Sequence, residues 1–440
     1  MKARLVPLYF EAERTERFST QLAHLKRLLG DEAEFLPETA LGKTIPECEA
    51  VVFPEILGQA YRSVEAIQGI NVPILIITSE FATVSMWDWE ISNFLKGKGV
   101  STIAPYSLEE SLTVCRVLGT KRKMAASKFL IFQDNPGEGF QPEIFKSFYW
   151  WEKESDDTIK DKFGTTIERR SLKALGEKAT RFSDADAEAL WKSWDYPLSE
   201  GFEKIRGLNA AKFYMAVKEE LDSDDIIGVG SNCLNESHYC NTTPCLTWDR
   251  LLEEKGLIWA CEGDTQSLTS KYMLYNSIGA PLFMTNIYPF MMGMAALKHE
   301  KIPSFPEIVD DPENHILLGH CGYFGLLPRK FSTDFTVVPK QLAIVDENSH
   351  MFNARMKTGD VTVTKMNMAM DKIMSIKGNL RGYVQYDESS DVRNGGILRV
   401  PDGRRFMENV YSHHVLVMEG DHTNTLNLIG RIMDLEVEKL

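Results

Sequence analysis

Leu257-Ile258-Trp259-Ala260-Cys261-Glu262-Gly263-Asp264 is the stretch on which the fold turns. An uncharged, mostly apolar run ends in a carboxylate, a glycine and a second carboxylate. A short continuous apolar run bounded by polar residues reads as a strand buried on both faces. Thr265–Ser277 then reads as a helix, and Asp264 is placed to cap its N-terminus. Strand followed at once by helix is the repeating step of a parallel α/β sheet.

The same step recurs outward in both directions. Pro281-Leu282-Phe283-Met284-Thr285 runs into Asn286, and Ile316-Leu317-Leu318-Gly319 runs into His320-Cys321-Gly322. Upstream, Lys128–Gln133 and Ile226–Gly230 read as strands, and Ser183–Trp194 and Ala210–Glu220 as helices. Further back, strands at Ala3–Phe10, Glu49–Pro54 and Val72–Thr78 alternate with helices at Thr20–Leu29 and Leu108–Leu118. From about Phe331 the apolar period falls to two, over Phe335–Val345, Val361–Met366, Leu380–Tyr386 and Ile397–Val400. Turn signals stand at Arg393-Asn394-Gly395-Gly396 and Pro401-Asp402-Gly403, before a strand at His413–Met418 and a helix at Thr423–Leu435. The expected architecture is α/β: two Rossmann-like parallel-sheet domains, 1–125 and 126–325, then a β-rich C-terminal domain, 326–440.

The 440 residues carry a net charge of −14, which argues against nucleic acid and anionic membrane as partners. An anionic small molecule stays compatible, because a few local Arg residues override the global sign. Met1–Glu11 lacks the long apolar core and small-residue cleavage site of a secretory leader. No apolar run approaches the ~20 residues that span a bilayer. The 7 cysteines follow no disulfide-framework spacing. A reducing, cytoplasmic location is expected.

In open parallel α/β sheets, ligands bind outside the carboxyl ends of the strands. There, Glu262, Asn286 and His320 are expected to converge on one rim. Carboxylate oxygen and imidazole nitrogen suit a divalent cation such as Mn²⁺, whereas thiolates would point to zinc. Each residue also has a plainer reading: Asp264 as a helix cap, Asn286 as a turn residue, His320 as a satisfied core histidine. Ser231–Cys245 holds Cys233, Glu236, His238, Cys240 and Cys245, but these spacings do not form a CxxC pair, so a strand-to-helix loop with buried thiols is expected. Gly228-Val229-Gly230 invites a dinucleotide reading, which the missing third glycine (Cys233 stands there) discounts. Trp87-Asp88-Trp89-Glu90 reads first as packing and second as a sugar-facing surface.

The order of these elements resembles the metal-binding core of the L-fucose/L-arabinose isomerase superfamily. The matching stretches are Ala260-Cys261-Glu262-Gly263-Asp264, Gly279–Asn286 and Leu318-Gly319-His320-Cys321-Gly322. Near the C-terminus, Ser412-His413-His414-Val415-Leu416, followed by Gly420-Asp421 and a helix, is similar to the family's late histidine motif. The three-domain outline covers the chain; the residue-level likeness is good over roughly 225–325 and 405–437. The resemblance implies that Glu262 is a metal ligand and the acid/base group, that His413 and His320 are further ligands, and that Asn286 stands where the family carries a second carboxylate. A second proton shuttle would then be Asp264, Glu236 or a metal-bound water. It also implies Mn²⁺ or another divalent cation, a homo-oligomer (commonly a hexamer), and an aldose–ketose isomerase. The substrate would be an open-chain pentose, 6-deoxyhexose or 6-substituted hexose such as a sulfosugar. An epimerase or retro-aldol lyase on the same scaffold, or a non-catalytic sugar-binding protein, are the alternatives.

Overall fold

A computed structural model describes residues 1–10, 14–56, 58–136, 145–298, 301–307 and 310–440. The chain divides into two compact units: Met1–Ala125 with Asn276–Ile278 and Leu428–Asp434, and Ala126–Tyr275 with Gly279–Asn427 and Leu435–Leu440.

The first unit is a parallel sheet. Its strands are Ala3–Tyr9 (β1), Ala33–Phe35 (β2), Thr39–Ala40 (β3), Ala50–Phe53 (β4), Ile74–Ile76 (β5) and Thr102–Ile103 (β6). They run in the order β2-β1-β4-β5-β6, with β3 also on β1. β4 and β5 are buried along their whole length, as the continuous apolar runs required. Helices such as Glu16–Leu29 cover the sheet with the apolar stripe Phe18, Leu22, Leu25 and Leu29.

The second unit begins with another parallel sheet, formed by Lys128–Phe132 (β7), Thr166–Arg170 (β8), Ile226–Ser231 (β9) and Ile258–Ala260 (β10) in the order β10-β9-β7-β8. Gly228 and Gly230 lie inside β9 rather than in a phosphate loop. A Cβ on Gly228 would come within 2.8 Å of the Phe129 ring, so this glycine permits close packing of β9 on β7.

The remaining strands are Leu282–Pro289 (β11), His315–Gly319 (β12), Asp334–Pro339 (β13), His350–Arg355 (β14), Gly359–Met366 (β15), Lys372–Gln385 (β16), Asn394–Arg399 (β17), His414–Glu419 (β18) and Glu436–Lys439 (β19). β13 and β14 pair with each other. The others make a seven-stranded sheet, β15-β18-β11-β12-β17-β16-β19, which curls back on itself through a β15–β16 pairing. The fold class is therefore α/β parallel regions followed by an antiparallel, barrel-like β-rich region.

One expectation is corrected here. β11 and β12 do not continue the parallel sheet of β10. β11 lies antiparallel to both β12 and β18, and belongs to the sheet built mostly from later residues. A strand buried on both faces is equally apolar in either kind of sheet, so its composition carries no information about its partners. The expected strand Phe335–Val345 also stops at Pro339. Among the described residues, no helix is long and apolar enough to cross a membrane.

Candidate metal centre

β10 ends at Ala260, and the chain turns sharply through Cys261–Gly263. Glu262 itself takes the left-handed conformation, φ 58°. A non-glycine residue there costs on the order of 1–3 kcal/mol and persists only where its surroundings hold it. Here the Glu262 carbonyl accepts the Trp151 indole N–H at 2.9 Å, and Tyr149 hydrogen-bonds its side chain. The 4% exposed carboxylate is thereby aimed at two histidines. Its Oε1 lies 3.6 Å from His320 Nε2 and 3.9 Å from His414 Nε2.

His320 reaches this place from the end of β12 through a tight turn. Its backbone N–H donates to Tyr323 O at 2.5 Å, and Tyr323 N–H returns to His320 O at 3.0 Å. Burial, and then the charge of His414, hold the imidazole well below the usual histidine range, so it is neutral, as a ligand must be. His414 opens β18. Its Nδ1 meets Asp264 Oδ2 at 2.9 Å, which leaves Nε2 facing Glu262. His320 Nε2 and His414 Nε2 are both buried, with no hydrogen-bond partner among the described residues. In His414, a carboxylate on one ring nitrogen and a second nitrogen without a hydrogen bond make the arrangement that carboxylate-oriented metal-binding histidines show.

Asp264 caps the helix Thr265–Ile278 as its position promised, accepting Ser267 N–H at 2.7 Å and the Ser267 hydroxyl at 2.6 Å. It also meets the buried Lys365 Nζ at 3.4 Å. Burial would raise its pKa, but Lys365 and His414 overcome that and hold the carboxyl well below the usual carboxylate range. A group held ionised in this way fixes His414 and is poorly matched to proton shuttling near neutrality.

Asn286 lies mid-strand in β11, directly opposite both Gly319 of β12 and His414 of β18. Directly opposed residues share a sheet face, so Asn286 and His414 stand side by side. Its Oδ1 is buried without a hydrogen-bond partner among the described residues. His413 contacts Tyr149 Oη through Nε2 at 3.2 Å, and its ring lies 4.4 Å from that of His414. β18 begins at His414, and this phase points His414, the neighbour of the residue the resemblance implied, at Glu262. Glu236 serves the loop after β7, where its carboxylate accepts the Asp134 N–H at 3.0 Å and the Asn135 N–H. Trp87 and Trp89 in the first unit are 56% and 40% exposed, so they form surface instead of core.

Sequence reading missed Tyr149, Trp151, Lys365 and the thiols beside the histidines. The adjacent aromatics Tyr149-Trp150-Trp151 were a visible signal. Tyr149 stacks on His414 at 5.0 Å, and Trp150 O accepts the Thr265 hydroxyl at 2.7 Å. One ligand-type atom each from Cys261, Glu262, His320 and Cys321 falls within 4.8 Å of the others, so this buried cluster could hold a metal ion. Two ligands of one divalent ion lie about 3–4 Å apart, which brackets the Glu262–His320 and Glu262–His414 separations.

No protein-family model matches the chain, and no curated protein matches it.

Proposed function

We propose that the protein is a metal-dependent aldose–ketose isomerase acting on an open-chain monosaccharide through an enediolate. The observation that carries this reading is the Glu262 carboxylate facing two buried imidazole Nε2 atoms that have no other hydrogen-bond partner among the described residues. Glu262, His320 and His414 would hold the ion, with Asn286 beside them. A hard divalent cation such as Mn²⁺ suits this oxygen and nitrogen set and would supply Lewis-acid stabilisation of the developing oxyanion.

The chain's own residues then divide the work. Glu262 takes the proton from C2 of the sugar and returns it at C1, while the O2 hydroxyl proton passes to O1 of the same enediolate. The hydrogen bond from Tyr149 and the left-handed turn fix the direction of that carboxylate. Asp264 keeps His414 in one tautomer. The neutral His320 imidazole and the enclosing aromatics limit competing protonation from water. The exposed Phe81, Met86, Trp87 and Trp89 are apolar surface of the kind an oligomer covers, which supports a homo-oligomer, hexameric on the resemblance. A cytoplasmic location belongs to the same proposal.

The test is a panel of aldoses with Mn²⁺ in deuterium oxide, followed by NMR. Ketose formation with deuterium at the migrating position supports the isomerase. An epimer or a cleaved product moves the assignment to an epimerase or retro-aldol lyase. Asn286 favours a second reading, a sugar-binding protein without turnover, because an amide carries no charge and moves no proton at neutral pH. Binding without exchange of the C2 proton would establish that reading.

A further inference from the structure

Beside the carboxylate and imidazoles lies a second donor set of different chemical character. Cys233 follows β9, Cys261 follows β10 and Cys321 follows β12, so three segments distant in sequence bring thiols to one place. Cys233 Sγ is 3.4 Å from Cys261 Sγ. Cys261 Sγ and Cys321 Sγ lie within 4.8 Å of each other, and Cys321 Sγ is 2.9 Å from His320 Nδ1. Cys321, like Glu262, takes the left-handed conformation, at φ 53°. The two edges of the His320 ring thus face different chemistry: Nε2 faces the Glu262 carboxylate and Nδ1 faces sulfur.

We propose that Cys233, Cys261, Cys321 and His320 Nδ1 form a second cation site, selective for a thiophilic ion of the zinc class. Three thiolates and one imidazole make up a common closed zinc set, with Zn–S about 2.3 Å. Two sulfurs on one tetrahedral ion of that bond length lie about 3.8 Å apart, so the 3.4 Å contact needs only a small separation. Soft thiolates select such an ion over Mn²⁺ or Mg²⁺, which the oxygen-bearing centre prefers. Capture at this site alone converts three thiols and a neutral imidazole, whose proton then sits on Nε2, into a complex of net charge −1 and releases three protons; an ion on each ring nitrogen would require His320 as a bridging imidazolate and release a fourth. Lys271 is 2% exposed, donates to Trp259 O at 3.0 Å and pairs with no carboxylate among the described residues. Burial lowers its pKa to about 7, and the charge of a Cys261 thiolate opposes that shift. An isolated buried ammonium is costly, and a thiolate-bound ion supplies the missing anion. This site stands on its own geometry and does not depend on the isomerase reading.

The experiment uses the full chain, reduced, stripped by chelation and titrated with Cd²⁺ without oxygen. A near-ultraviolet thiolate-to-metal charge-transfer band should saturate at one equivalent, and Mn²⁺ should produce none. Cys233→Ser and Cys321→Ser should each lose most of the band. Glu262→Gln and Cys48→Ser should keep it. Because a serine variant can fail to fold, the wild type is also alkylated with and without Cd²⁺. Cys233, Cys261 and Cys321 should be protected together. The proposal is overturned if no band forms, if the band survives both cysteine substitutions, or if Cd²⁺ leaves the alkylation of these three thiols unchanged. It is equally overturned if the reduced protein binds no Cd²⁺ while Cys233 and Cys261 are recovered from air as a disulfide.

Discussion

Glu262 unites a strained backbone, a buried carboxylate and two imidazoles within 4 Å. Glu262→Gln keeps the shape and removes the base. Loss of a general base typically costs 10²–10⁴ in rate, so kcat of the Mn²⁺-loaded variant should fall at least ~100-fold in the aldose assay. Near-normal turnover would move the proton transfer elsewhere. The neighbouring histidines can be ranked by what their nitrogens face. His414 Nε2 points at Glu262, while His413 Nε2 meets Tyr149. An ion present at 100 times its Kd stabilises the fold by about 2.7 kcal/mol. His414→Ala should therefore lose most of the Mn²⁺-induced rise in Tm, and His413→Ala a smaller share. Equal losses in the two variants, or a greater loss for His413→Ala, would restore His413 as the ligand.

At the scale of elements, the helix Thr265–Ile278 and strand β15 are tied by a buried charged pair, beside the hydrogen bonds of Gln266 Nε2 to Met366 O (2.9 Å) and of Met366 N–H to Ser270 Oγ (3.2 Å). Lys365 Nζ lies 3.4 Å from Asp264 Oδ2 and 2.9 Å from Ser412 Oγ, with both charged side chains essentially inaccessible. Removing one member of a buried pair strands the other, at a cost of about 3–5 kcal/mol. Asp264→Ala also loses the helix cap, about 1 kcal/mol more. Urea unfolding should show this loss. Asp264→Asn combined with Lys365→Met should be markedly more stable than Asp264→Ala, because no charge is left stranded. If the double variant is no better, the pair is not what holds these elements together. The same scale shows why Gly395 and Gly396 misled sequence reading. They signalled a turn, yet both lie in β17. A Cβ on Gly396 would come within 2.3 Å of the Phe324 ring, and one on Gly395 within 2.5 Å of Leu317. Close packing across the sheet accounts for the glycines, and no local signal distinguishes that from a turn.

Across the second unit, segments far apart in sequence meet at Asp249. The helix Cys245–Lys255 carries this carboxyl, which accepts the Tyr196 hydroxyl and the Arg329 backbone N–H, each at 2.8 Å. Burial pushes its pKa up to about 7, against the pull of those two donors. The unfolded value is about 3.9. Between these values the folded chain holds a proton that the unfolded chain has released, so Asp249 makes stability fall as pH rises through that window. Asp249→Asn removes the titration. The difference in unfolding free energy between wild type and variant should change from about pH 4 to pH 7 and level off above. A constant difference across that range would show that Asp249 is ionised throughout.

Some of this was determined by the sequence alone, because it depends on neighbours along the chain. Continuous apolar runs made β4, β5, β9 and β10 buried strands, and Asp264 before Thr265 made a helix cap. Other features were decided only when the chain closed on itself. Whether 282–289 joined a parallel or an antiparallel sheet depended on β12 and β18, since backbone hydrogen bonding is shared with a partner strand and leaves no local trace. The phase of β18 chose between His413 and His414, because a shift of one residue exchanges the two faces of a strand. Cys233, Cys261 and Cys321 likewise became neighbours through the return of three separate segments. Spacing along a chain describes a site only when its donors share one element, and here they come from several.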